Sequence, residues 1–92
     1  MCLIESEVIA RGNGTAGMYF ATLNYPPKPG TVFIYATDEH GETVSAFDKG
    51  RGKLHPSVGE VNYKTGDISF SFIGNIPKSE HIVADYETTV VV

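Results

Sequence analysis

Apolar and polar positions alternate with a period of two along most of this 92-residue chain, the spacing of a half-buried β-strand. The pattern is clearest over residues 59–72. Val61 and Tyr63 share one face against Glu60, Asn62 and Lys64. After a Lys64-Thr65-Gly66-Asp67 corner, Ile68, Phe70 and Phe72 oppose Ser69 and Ser71. In the last run Ile82, Ala84, Tyr86, Thr88, Val90 and Val92 again fall on one side. These sets predict a core centred on Val61, Tyr63, Ile68, Phe70, Phe72, Ile82, Ala84 and Tyr86. No segment carries a helical period over the ~10–12 residues a helix needs.

Glycine and proline cut the chain into short extended pieces, predicted at about 3–10, 17–24, 31–37, 42–47, 58–64, 67–73 and 80–91. Seven short strands with turn signals roughly every 8–12 residues predict an all-β, antiparallel sandwich or small barrel. Gly66 suits the left-handed position of a bulged hairpin, and Gly41 closes the turn begun at Asp38. The stretch Tyr25-Pro26-Pro27-Lys28-Pro29-Gly30 lacks three backbone donors and is expected to cross stiffly from one sheet to the other. Residues 1–11 read as an N-terminal arm or edge strand. The glycine-rich run from Gly12 to Gly17 is expected to join them flexibly to a sandwich domain over 12–92.

Two segments are apolar on both parities. Strand 31–37 sets Val32, Ile34 and Ala36 against Phe33 and Tyr35, and the chain closes on Val90, Val91 and Val92. A strand apolar on both faces needs cover from a second layer. Phe33, Tyr35, Val90, Val91 and Val92, with Leu3 and Ile4 of the arm, are therefore the expected partner interface.

Composition narrows the function classes. Seven basic against eleven acidic residues leave a net charge of −4, a poor counterion for phosphate, so nucleic acid is not an expected partner. The cluster Lys49, Arg51 and Lys53 reads as a solvated loop. A single cysteine, Cys2, permits no internal disulfide. The first ten residues lack the basic and long apolar regions of a secretory signal. No run approaches the ~18 apolar residues of a membrane span, so synthesis in the cytoplasm is expected and a membrane is not.

Candidate chemistry is sparse. His40, His55 and His81 have no metal-ligand spacing with one another or with Cys2. Asp38, Glu39, Glu42 and Asp48 lack the ligand order of a helix-flanked calcium loop, and the glycine-rich run lacks a P-loop lysine. No serine sits in a nucleophile elbow. No catalytic residue, metal or cofactor is expected, and the chain does not read as an enzyme. The five tyrosines, Tyr19 and Tyr25 foremost, offer a sugar platform as a rival reading.

The order of motifs carries a resemblance. A glycine-rich opening (Gly12, Gly14) precedes Phe20 and Leu23, then Pro29-Gly30 and an apolar strand. Next come Asp48, Gly50, Gly52 and Leu54, the hairpin Gly59, Val61, Tyr63, Thr65, Gly66, Ile68, Phe70 and Phe72, and finally Ala84 and Tyr86. Over about residues 12–87 this resembles a small immunoglobulin-like β-sandwich module of tailed-bacteriophage virion structural proteins. The resemblance implies a non-enzymatic building block located in the virion. A capsid decoration or cement protein is the favoured role, with a tail or baseplate component or a carbohydrate-binding host-adhesion module as alternatives. It also implies other virion proteins as partners, and homo-oligomers such as a trimer. The arm and the C-terminal strand would engage neighbours by strand addition or packing.

Overall fold

In the computed structural model, which describes residues 2–14, 18–55, 58–72 and 74–90, the described residues form strands and turns without a helix. The strands are β1 (Cys2–Arg11), β2 (Tyr19–Thr22), β3 (Phe33–Thr37), β4 (Thr43–Asp48), β5 (Leu54–His55), β6 (Val58–Val61), β7 (Asp67–Ser71) and β8 (His81–Thr88). They make two antiparallel sheets, one ordered β1-β8-β3-β4-β5 and the other β2-β7-β6. The all-β, two-sheet architecture is the one the alternation predicts, and the triple-proline stretch does cross between sheets, from β2 to β3. The short β5 was not predicted, because two residues among glycines and lysines leave no alternation to read.

Period-two burial builds the interior. Ile34, Ala46, Ile82, Ala84 and Tyr86 of the larger sheet and Tyr19, Val61, Ile68 and Phe70 of the smaller all point inward and are buried. Phe70 is the aromatic centre, its ring stacked at 5.4 Å on Tyr19 and edge-on at 5.3 Å to Phe72. Such pairs add to the area burial of large rings. Of the predicted core only Tyr63 differs: it lies in the turn beyond β6, half-buried against the core. Strand β6 ends at Val61 because Asn62 starts the hairpin, its N–H donating to Asp67 O (2.8 Å) and its carbonyl accepting from Gly66 N (2.8 Å). Gly66 closes that turn at φ 81°, where a side chain would be strained.

The N-terminal segment is an integral edge strand. It pairs with β8 from Cys2 opposite Thr88 to Arg11 opposite His81, with irregularities between Ile4 and Glu7 and between Val8 and Ala10. Ser6, inside the first irregularity, has φ 53°. The described part of the expected flexible joint is fastened: Gly12 N donates to Glu80 O (2.9 Å) and Gly14 N to Ile76 O (2.8 Å). Thr15, Ala16 and Gly17 lie outside the described residues, as do Val91 and Val92.

On one side the sheets are joined where Lys53 bridges Glu60 and Val61 N donates to Gly52 O (2.9 Å). On the other side Glu7 of β1 reaches the segment after β2, accepting from Asn24 N at 3.0 Å.

Candidate interaction surface

The polar residues that drew attention in the sequence are fixed by the fold itself. Asp48 is buried, yet its carboxylate accepts from Gly30 N (2.7 Å), Gly50 N (2.9 Å) and the Tyr63 hydroxyl (2.6 Å). The same hydroxyl accepts from Gly52 N at 2.7 Å. Gly30 and Gly50 pass so closely that a Cβ on Gly30 would lie 3.8 Å from the Gly50 Cα. The Pro-Gly corner, the Asp-x-Gly-x-Gly turn and the tyrosine of the Tyr-x-Thr-Gly hairpin thus meet at one carboxylate. Burial, then the hydrogen bond to Asp48, hold the Tyr63 phenol above its usual pKa.

A second polar centre joins β1 to the interior. The buried Tyr86 hydroxyl donates to Glu7 Oε1 (2.6 Å) and accepts from Tyr25 N (3.3 Å). Desolvation, then the Glu7 carboxylate, push the Tyr86 phenol well above the ordinary range. The end of β8 is fastened by Thr88, whose hydroxyl donates to Pro26 O at 2.8 Å.

The acidic group does not converge. Asp38 and Asp48 stand at opposite ends of β4, and Asp38 Oδ1 accepts from His40 N and Glu42 N, each at 2.9 Å. Both carboxylates organise turns. Among the described residues no three His, Cys, Asp or Glu side chains are placed to hold a metal. His40, His55 and His81 are exposed and sit on separate elements. The sugar-platform reading is corrected at its first residue: Tyr19 is a core side chain, its hydroxyl donating to Asn13 Oδ1 at 3.0 Å.

What remains chemically distinctive is apolar surface. On the outer face of the five-stranded sheet, register places Val8 beside Val83 and Val83 beside Tyr35. In the next row Asp85 lies beside Phe33, and Phe33 beside Phe47. Leu3 and Val8 are about 60% exposed (60% and 59%), and Phe33 and Phe47 are 39% and 36% exposed. The Phe33 and Tyr35 rings lie 5.5 Å apart, and Lys49 Nζ sits 5.6 Å from the Phe47 ring centre. Ser6 tethers this face, its N–H donating to Asp85 Oδ1 (2.6 Å) and its hydroxyl lying 3.2 Å from the Tyr35 hydroxyl.

Of the residues expected to form an interface, Leu3, Phe33 and Tyr35 come together here. Ile4 is corrected: opposite Tyr86, it turns inward against the core. Val90 is 39% exposed, two residues beyond the end of β8. Val8, Val83 and Phe47 were missed as interface residues; the odd parity of Val83 and Phe47 between buried neighbours was readable, whereas Val8 follows an irregularity in β1.

The smaller sheet differs. Its outer face carries Phe20, 78% exposed, at the rim of a depression of about 760 Å³ lined also by Glu60, Asn62, Lys64, Asp67 and Ser69. Lys53 pairs with Glu60 and holds its carboxyl below the usual value. No protein-family model, curated protein or solved structure matches this chain.

Proposed function

We propose that this protein is a non-enzymatic structural module of a tailed-phage virion, an immunoglobulin-like sandwich that decorates the capsid by packing against neighbouring subunits. One observation carries the reading: large apolar side chains stand exposed on the outer faces of both sheets, Phe33 and Phe47 on one and Phe20 on the other. Exposed apolar surface of this kind marks association, and a block with two such faces suits a place between neighbours.

The strand connectivity supports the fold-family part. In an immunoglobulin-type sandwich the second, fifth and fourth strands are neighbours in one sheet, and the third, sixth and seventh in the other. Taking β2, β3, β6, β7 and β8 as strands two to six reproduces both orders. The β4–β5 hairpin is then an addition, and β1 occupies the edge of the seventh strand.

Co-sedimentation with purified capsids and, separately, with purified tails tests the role. The protein is expected to pellet with capsids, and Phe20→Ser to reduce the bound fraction at least tenfold. Binding to tails alone would transfer it to the tail or baseplate, and binding to neither would overturn the virion reading.

A further inference from the structure

We infer that the outer face of the five-stranded sheet takes a second copy of this chain, the two sheets stacked face to face with their strands running in opposite directions. The inference rests on reading that face as an attachment surface and names its occupant. Its centre is apolar and aromatic: Val83, Tyr35, Phe33 and Phe47 on three adjacent strands, flanked by Val8. Across β1 and β8 the two ends of the face carry opposite charge. Arg11 and His81 are paired at one end, with Arg11 Nη2 3.4 Å from His81 Nε2, and Glu87 stands beside Leu3 at the other.

A two-fold axis in the plane between the sheets and across the strands lays β8 over β8. His81 and Arg11 of each copy then meet Glu87 of the other, and Tyr35 meets the second copy's Phe33. Val83 faces Asp85, whose carboxylate is already held by the Ser6 N–H. Each contact is made twice, as an isologous interface requires, and at the ~10 Å separation of packed sheets the aromatic rows interdigitate. At the Glu87 end Lys49 lies over the Phe47 ring, and Lys28 N donates to Glu87 O (2.7 Å). Complementary ends on one surface are what a copy of the same chain requires.

The test uses two charge variants of the full chain, R11E/H81E and E87K, studied by light scattering at low salt without virions. The wild type is expected to show about twice the mass of the 10.0 kDa chain and to dissociate on dilution. Each variant alone places like charges opposite one another and is expected to weaken self-association at least tenfold. Mixed in equal amounts, the two restore the dimer, because each variant's altered end then meets its opposite. A wild type monomeric at millimolar concentration overturns the inference, as does R11E/H81E that self-associates as the wild type does, or a mixture no more associated than its parts. Circular dichroism confirms that both variants are folded. Capsid co-sedimentation is measured separately, so a failed dimer leaves the virion reading standing and a failed virion reading leaves the dimer.

Discussion

The two sheets present matched inner faces and unlike outer ones. Inside, both contribute buried aliphatic and aromatic side chains to one core, and among the described residues no buried side-chain nitrogen or oxygen lacks a hydrogen-bond partner. Outside, the larger sheet lines up Leu3, Val8, Val83, Tyr35, Phe33 and Phe47, whereas the smaller shows Phe20 among Ser69, Asp67 and Glu60. The inner faces therefore carry stability, and the outer faces carry whatever distinguishes this molecule to a partner. An apolar side chain means different things on the two sides of one strand.

The strongest way to break that contrast is at its centre. Phe70→Ala removes a fully buried ring in contact with Tyr19 and Phe72, and is expected to cost about 3–5 kcal/mol in urea unfolding. A midpoint unchanged by this substitution would mean the core lies elsewhere. Next comes Asp48→Ala, which leaves the Gly30 and Gly50 amides and the Tyr63 hydroxyl without their acceptor. Hydrogen bonds to charged groups contribute roughly 1.5–3 kcal/mol each and are not additive, so about 3 kcal/mol is expected. Amide exchange should quicken at Gly30 and Gly50 before it does in β7, and uniform quickening would deny Asp48 a local role.

Alkaline pH probes the two phenols. Both are raised above the value of about 10 at which unfolded tyrosine ionises. The unfolded chain therefore loses protons first, and their contribution, complete below about pH 10, declines as pH rises toward the folded values. Tyr63→Phe and Tyr86→Phe should each flatten the alkaline limb of a stability–pH curve; a limb of unchanged slope in both would assign alkaline unfolding to other groups.

The smallest effect sharpens the contrast most. Phe33→Ser with Phe47→Ser, on the outer face, is expected to change stability by less than about 1 kcal/mol, as exposed substitutions do. A loss as large as that from Phe70→Ala would place these rings in the core and dissolve the distinction between faces.

Much of this fold was legible because period-two alternation is a local signal. Seven of the core residues named from parity are buried, and the crossing at Pro26–Gly30 follows from missing donors alone. What escaped was long-range. The sequence marks Gly30 and Asp48 at separate turns and Tyr63 as a core residue of a strand, and only the fold brings them to one carboxylate. Tyr19 read as a surface ring because a one-residue shift exchanges the faces of β2, where Phe20 is the exposed aromatic. Leu3 and Ile4 were grouped by composition, although consecutive strand residues face opposite ways, and Ile4, opposite Tyr86, takes the inner face.

That irregular register has a consequence for how the molecule lives among its own copies. A ten-residue strand at a sheet edge is a template on which another chain can grow as a fibril. Two interruptions, with Ser6 turned to φ 53°, break the evenly spaced row of donors and acceptors that such growth would copy. A protein crowded at high local concentration could then meet its neighbours through side chains, in assemblies that close, while its backbone refuses to polymerise.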